Sequence, residues 1–465
     1  MLGAMSRSYF GTDGIRGLAN AGAMTPEVAF RIGAAVTYLA RERLSAESGR
    51  RAHVPRVVIG KDTRLSGYLF ETSIAAGVCS QGGRVLLSGP LPTPAIAHLT
   101  TGMRADVGVV ISASHNPYED NGIKLFGHDG FKLPDAQEEA IEALLEGDEL
   151  DNKRPTGTRV GSAERVDDAP GRYVEAVKHS FPSQLTLDGV RVVVDAAHGA
   201  AYRVAPAVFS ELGADVVTVG VNPNGRNIND KVGALHPESA ARAGKRKKAD
   251  VGIALDGDAD RLILVDDRGR VVDGDVLMAL CAKRMLRKRT LRKKTLVATV
   301  MSNLGLERAV VGAGGRMLRC PVGDRHVVAT LRKRGLAFGG EQSGHLVFLD
   351  HATTGDGTLA ALQVMALMLE EGRPLSELVE EAMEKVPQVL VNKRFEERRP
   401  LKAMPSTLQA THALEKKLGD RGRVLVRWSG TEPKLRVMVE GEDTKKIRAA
   451  AERIMDVATR ELAAS

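Results

Sequence analysis

Cysteine is scarce in this chain: 465 residues hold three, Cys79, Cys281 and Cys320, odd in number and far apart. That rules out a disulfide framework and a paired-cysteine zinc site and fits a reducing cytoplasm, the expected location. Aromatic residues make up 4% of the chain, with a single tryptophan. Two basic clusters, Lys245 to Lys248 and then Lys283 to Lys294 with Arg284, Arg287 and Arg292, therefore lack the interleaved stacking residues of a nucleic-acid surface. They read as solvated helix faces that also attract anionic phosphosugars. No run of about 18 apolar residues occurs. The N-terminus MLGAMSRSYF shows neither an apolar h-region nor a small-residue cleavage site. Nucleic-acid binding, membrane insertion and secretion are thus not expected. The phosphate loop G-x-x-x-x-G-K-[ST] and the dinucleotide fingerprint G-x-G-x-x-G are missing too, which removes support for nucleotide kinases and Rossmann dehydrogenases. Gly312, Gly314 and Gly315 have the wrong spacing for that fingerprint and read as a turn after a helix.

What is present is an ordinary globular composition, 43% hydrophobic and 27% charged, with a formal charge of +8. The length exceeds one core and predicts three or four domains. Short β-branched runs such as VVIG (57–60) and GVVIS (108–112) alternate with amphipathic stretches at 26–43 and 136–145, the pattern of α/β layers. A polar stretch from Asp151 to Gly161 reads as a linker. RVVVDAAHGAA and DVGIALDGDADRLILVDD follow, then TLVATVMSN, a strand ending at Ser302 and Asn303, then GLAFGGEQSGH. Strand followed by functional loop thus recurs in three consecutive units. The last segment, with PQVLVNKR and VLVRWSGTEPKLRVMVEG, reads as a smaller α+β domain. The boundaries expected are 1–155, 156–265, 266–380 and 381–465.

Four loops carry chemistry-bearing residues. Asp256, Asp258 and Asp260 alternate after an apolar strand, so their carboxylates can turn toward one point and hold a hard divalent cation, magnesium. A calcium EF-hand is excluded, because its sixth position needs Gly and holds Arg261, and the flanks are strands. A solvated acidic turn leaves three mutually repelling acids between apolar strands unexplained. Ser114, in ISASHNP, sits at a strand end near His115 and Lys124 and reads either as an activated nucleophile or as a plain turn. It lacks the glycines of a hydrolase elbow. In GEQSGH, Glu341 and Ser343 can take adjacent sugar hydroxyls, and His345 follows. Finally, Arg427, Ser429, Gly430, Thr431 and Arg436 combine guanidinium groups, hydroxyls and a tight turn able to cradle a phosphate.

Taken in order, from FGTDGIRG (10–17) through ISASHNP, DGDADR, TVMSN and GEQSGH to RWSGTEP, these motifs resemble the α-D-phosphohexomutase family over essentially the whole chain. The resemblance implies an α/β fold: three related α/β domains with mixed sheets around a central cleft plus a smaller α+β C-terminal domain. It implies a phosphorylated Ser114, with Mg²⁺ held by Ser114 and by Asp256, Asp258 and Asp260. Glu341 and Ser343 would grip the sugar, and Arg427, Ser429, Gly430, Thr431 and Arg436 its non-reacting phosphate. Arg16 and Arg261 would neutralise the transferring group, and Lys124, His115 and His345 are the candidates for the general acid and base.

The motif wording resembles the amino-sugar branch of the family, which would interconvert glucosamine 6-phosphate and glucosamine 1-phosphate for UDP-N-acetylglucosamine and cell-wall precursors. A hexosamine bisphosphate would serve as intermediate and activator. Asp324, in PVGDR, stands where mannose-branch relatives carry histidine, which fits that branch. The alternatives are a mannose or glucose phosphomutase of the same mechanism, or a non-catalytic phosphosugar-binding protein. Monomer and homodimer are both compatible. Met5 is favoured over Met1 as the start.

Overall fold

The computed structural model describes residues 9–11, 13–48, 54–429 and 433–463. Four sheets follow one another along the chain. The first contains β1 (Ile15–Leu18), β2 (Arg56–Lys61), β3 (Arg84–Pro90), β4 (Val107–Ile111), β5 (Asp120–Gly127) and β6 (Ser162–Arg165) in the order β1-β5-β4-β2-β3-β6. Its centre is parallel, while β5 runs antiparallel to β4 and β1 antiparallel to β5. The polar stretch expected as a linker holds a short helical turn and leads into β6, which pairs parallel with β3. The first sheet therefore reaches past residue 155, because the exposed edge of β3 supplies a ladder that β6 completes.

The second sheet comprises β7 (Arg191–Asp195), β8 (Asp215–Val219), β9 (Val251–Leu255), β10 (Leu262–Val265) and β11 (Val271–Val272), ordered β11-β10-β9-β7-β8. The third comprises β12 (Thr295–Thr299), β13 (Arg316–Cys320), β14 (Phe338–Gly340) and β15 (Leu346–Phe348), ordered β13-β12-β14-β15. β12 ends three residues before Ser302, since Asn303 already caps the helix Leu304–Gly312 by accepting from the Gly305 amide. The three sheets share one plan. A parallel core ends in an antiparallel hairpin, β4–β5, β9–β10 or β14–β15, and each hairpin loop carries one of the sequence-flagged motifs. These loops follow the carboxyl ends of buried strands, the edge at which open α/β sheets bind ligands.

One apolar cluster runs through all three domains, joining Leu86 and Phe126 to Val174 and Ile253 and onward to Leu277 and Leu362. The fourth sheet, β16 (Gln388–Arg394), β17 (Arg423–Trp428) and β18 (Lys434–Glu440), is wholly antiparallel. It packs against the helices Pro405–Leu418 and Thr444–Ala463 around a cluster of its own. The fold is thus α/β with mixed sheets and a smaller α+β C-terminal domain, as expected. The basic clusters differ from one another. Lys245 to Lys248 are exposed. Arg284 instead is buried and bonds Glu370 at 2.8 Å and Gln363 at 3.1 Å, because its helix Gly274–Arg287 lies against the helix Gly357–Glu371.

Candidate active site

Ser114 is buried and holds φ +52°, the left-handed region that a residue with a Cβ adopts only under constraint. The constraint is a polar scaffold. The Ser114 amide donates to Ser112 Oγ at 2.9 Å, and Ser112 Oγ donates to Asp62 Oδ2 at 2.6 Å. The Ser114 carbonyl accepts from Arg64 and from Asn229, each at 2.9 Å. Arg64, itself buried, also reaches the carbonyls of Asn116, Pro117 and Asp120 and pairs with Asp62 at 2.8 Å. Sequence reasoning singled out none of Asp62, Arg64 and Asn229. Asp62 and Arg64 did offer one signal: they directly follow β2, at the same strand edge as the flagged loops.

Ser114 Oγ donates to Asp256 Oδ2 at 2.6 Å, which joins the serine loop to the acidic loop of the second domain. Gly257 is required here, since a Cβ on it would lie 2.5 Å from the Ser114 carbonyl oxygen. Carboxylate oxygens of Asp256, Asp258 and Asp260 lie within 4.8 Å of one another, all buried. Burial, then repulsion from Asp260 and Asp258, pushes the Asp256 carboxyl well above the usual range. Asp258 goes the other way, its burial outweighed by Lys124. One oxygen on each of Asp258 and Asp260 is buried without a hydrogen-bond partner. Such unpaired anionic oxygens normally face a cation, and an all-oxygen donor set is what magnesium takes.

Lys124 contacts Asp258 at 2.8 Å, Asp260 at 3.3 Å and Asp13 at 3.4 Å. Burial works against its charge, but the three carboxylates prevail and raise its pKa well above that of a free lysine. His115 lies with Nδ1 3.3 Å from Ser114 Oγ. Burial, then Arg261 and Arg16, lowers it to about 4, so this imidazole is neutral at pH 7. Arg16 pairs with Asp13 and approaches the Ala113 carbonyl at 3.4 Å, while the Arg261 amide donates to Asp256 at 3.2 Å.

A cavity of about 410 Å³ opens beside these groups, lined by Asp13, Arg16, Asp260, Arg261, Glu341 and His345, and by the turn Val322 to Asp324. Three domains therefore meet at one site, and Glu341, His345, Arg16 and Arg261 are brought together as expected. Glu341 Oε1 accepts from the Gly323 amide at 2.9 Å. Ser343 belongs to the same hairpin loop but is not among the cavity's lining residues. His345 is buried, its Nε2 3.7 Å from Asp324 Oδ2. Lys132, which sequence reasoning also passed over, bridges Asp13 of the first domain to Asp324 of the third. Nothing local in the sequence marks it, because its role arises from the docking of two domains.

The C-terminal domain contributes no lining residue to this cavity among the described residues. Its candidate anion site stands apart. Arg427 and Arg436 face each other in the β17–β18 register, and Arg436 lies 3.4 Å from Ser429 Oγ. Burial, then the neighbouring Arg436, lowers the pKa of Arg427, and each guanidinium keeps a buried Nε without a partner. Two adjacent cations with unused donors fit an anion. Gly430 and Thr431 lie outside the described residues.

Comparison with known proteins finds four family models in order. Phosphoglucomutase/phosphomannomutase alpha/beta/alpha domain I matches residues 7–151, domain II 171–269, domain III 273–386 and the C-terminal domain 390–457. Phosphoglucosamine mutase of Sorangium cellulosum is 61% identical over 99% of this chain and 94% of its own length. That of Myxococcus xanthus is 54% identical, with 98% of each chain covered. A crystal structure of a phosphoglucomutase/phosphomannomutase family protein from Burkholderia thailandensis superposes with a TM-score of 0.79 at 25% identity, over 99% of this chain and 98% of that one.

Proposed function

This chain belongs to the phosphoglucomutase/phosphomannomutase family, and from that premise we propose that it is an isomerase interconverting glucosamine 6-phosphate and glucosamine 1-phosphate. The observation that carries the mechanism is the 2.6 Å contact between Ser114 Oγ and Asp256 within the acidic triad. Ser114 carries the phosphoryl group in this reading. A sugar hydroxyl attacks the phosphorus in line, the bond to Ser114 Oγ breaks, and a hexosamine bisphosphate forms. After the bisphosphate reorients, its other phosphate returns to Ser114.

The chain's own groups supply most of what this needs. The buried Asp62, Arg64 and Asn229 scaffold fixes Ser114 at the triad, a positioning that phosphoryl transfer rewards more than covalent activation. Arg16 and Arg261 face the cavity and offset charge on the transferring oxygens. Asp256, Asp258 and Asp260, with a Ser114-borne oxygen, would hold Mg²⁺, which neutralises phosphoryl charge when bound. Neutral His115, protonated Lys124 and buried His345 are the groups placed to accept or donate the hydroxyl proton. Glu341, on the cavity wall, holds sugar hydroxyls, and the family resemblance gives Ser343 of the same loop the same role. Arg427, Ser429 and Arg436, with Gly430 and Thr431, hold the phosphate that does not react.

A phosphorus NMR time course with Mg²⁺, a trace of hexose bisphosphate and separate glucosamine, glucose and mannose 6-phosphates tests this. The glucosamine ester converts fastest, and Ser114→Ala converts none. Faster turnover of glucose or mannose ester would move the chain to the sister branch of the family.

A further inference from the structure

Thr93 belongs to none of the four motif loops, yet its hydroxyl donates to Asp258 Oδ2 at 2.6 Å. We propose that Thr93 is a positioning residue for the metal: it decides which oxygen of Asp258 is left for Mg²⁺ and so sets the affinity of the triad for the ion. The inference rests on the assignment of Mg²⁺ to Asp256, Asp258 and Asp260 above.

Three observations carry it. First, the two donors to Asp258 take the same oxygen. Oδ2 accepts from Thr93 at 2.6 Å and from Lys124 at 2.8 Å, while Oδ1 is buried with no hydrogen-bond partner. A buried anionic oxygen without a partner is costly unless a cation meets it, so the carboxylate is turned with its spare oxygen kept for the metal. Lys124 does not fix that orientation alone, because its ammonium also contacts Asp260 at 3.3 Å and Asp13 at 3.4 Å. Among the described residues, Thr93 is the only side chain outside the serine loop that bonds the triad without bringing charge. It orients Asp258 and leaves its negative charge for the ion. Second, the grip is double. The Thr93 amide donates to the Asp258 carbonyl at 3.0 Å, so one residue of the first domain holds both main chain and side chain of a residue of the second. That main chain needs holding: the next residue, Ala259, has φ +55°, the left-handed region. The Ala259 carbonyl in turn accepts from the Gly357 amide at 3.0 Å, which pins the turn from the other side. Third, Thr93 is itself rigid. It is buried and opens the helix Thr93–Gly102 between Pro92 and Pro94, whose rings fix φ on either side. Its branched Cβ restricts χ1, and its amide is one that a helix N-terminus leaves without an intrahelical partner.

A hydroxyl bonded this closely to a carboxylate makes a charge-assisted hydrogen bond of the stronger kind. With a methyl in its place, Asp258 is free to swing its unpaired oxygen toward Lys124 and close that ion pair where the metal would bind. Loss of such a partner behind a metal ligand weakens metal affinity about ten- to one-hundredfold.

The test is calorimetric titration of the full chain with Mg²⁺ and with Mn²⁺, in one phosphorylation state of Ser114 checked by intact mass, for the wild type, Thr93→Val and Thr93→Ser. Thr93→Val weakens both ions at least tenfold, and Thr93→Ser, which keeps the hydroxyl, stays within threefold of wild type. In turnover the Mg²⁺ concentration for half-maximal rate rises by the same factor in Thr93→Val, while KM for the sugar ester at saturating Mg²⁺ stays within twofold. Metal affinity within threefold of wild type in Thr93→Val overturns the proposal. Equal weakening in Thr93→Ser, or a parallel rise in KM for the ester, assigns the effect to packing between the domains and overturns it as well. If the wild type binds neither ion, the metal assignment fails first and takes this inference with it. Should Thr93→Val not fold, the wild type decides by reciprocity. Bound Mg²⁺ tightens the Thr93–Asp258 contact, so exchange of the Thr93 amide slows at least threefold relative to the Leu99 and Thr100 amides of the same helix; no relative slowing overturns the proposal.

Discussion

Replacing Arg64 by lysine removes neither charge nor bulk from the serine loop, yet it should disable the loop. The Arg64 guanidinium serves Asp62 and the carbonyls of Ser114, Asn116, Pro117 and Asp120. Lysine brings three donors on one nitrogen in place of five in a fixed fork. Asn229 still covers the Ser114 and Asn116 carbonyls and the Asp120 amide still donates to that of Pro117, so the deficit falls on the Asp120 carbonyl. One unsatisfied carbonyl at about 1–3 kcal/mol puts the expected loss near 2 kcal/mol. That is roughly a thirtyfold shift toward the open loop. Asp62, already pushed upward by burial, would lose part of the attraction that opposes the push. Hydrogen exchange of amides 112–121 should accelerate about thirtyfold, with a comparable fall in kcat. Unchanged exchange there, with kcat within threefold of wild type, would refute the idea that this scaffold positions Ser114.

Asp258→Asn should weaken Mg²⁺ or Mn²⁺ binding at least tenfold by calorimetry and leave little turnover at saturating metal, and chelation of the wild type should give the same loss, reversed by Mg²⁺. Arg427→Ala should raise KM about tenfold with a smaller effect on kcat, since it removes a hydrogen-bonded charge that binds both ground and transition states. Asp356, which caps the helix Gly357–Glu371 and accepts from Tyr173 at 3.0 Å, is pushed up to about 6 by burial. The native state therefore holds this proton more tightly than the unfolded chain, so stability falls as pH rises from about 4 to about 6 and the full penalty, ~3 kcal/mol, applies above that. Asp356→Asn should flatten that slope, read from hydrogen exchange within residues 357–371 at pH 5 and pH 7 after correction for intrinsic rates.

Much of the site was legible because each chemical loop sits at the end of a buried strand, where apolar residues stop and acids, serine or glycine begin. Ser114, the three aspartates and Glu341 were visible for that reason. Arg64, Asn229 and Lys132 were not, because each acts on a partner far away in sequence: Asn229 reaches Ser114 across 115 positions, and Lys132 meets Asp324 across 192. Arg284 was misjudged as solvated, since a charge run shows its neighbours in sequence and not the helix packed against it. Alternation made the α/β layers readable, and the family resemblance supplied the count of three such domains. The pairing of β6 with the first sheet was not, since its SAER segment is exposed and lacks an apolar pattern.

The separation of cores has a consequence for engineering. Domains one to three share a continuous apolar interior, whereas the buried cluster of the fourth domain begins at Val389 and is closed on itself. What joins that domain to the third is polar: Arg423 on the Ser302 carbonyl at 2.9 Å and Glu440 on the Leu304 amide at 3.1 Å. Cutting among the first three domains would expose hydrocarbon, while among the described residues exchanging everything after residue 387 would break hydrogen bonds such as these and that of Arg308 to the Asp420 carbonyl. Arg427 and Arg436, the proposed phosphate grip, thus travel on a replaceable cartridge, and chimaeras built at that joint would alter this proposed grip without touching Ser114 or the acidic triad.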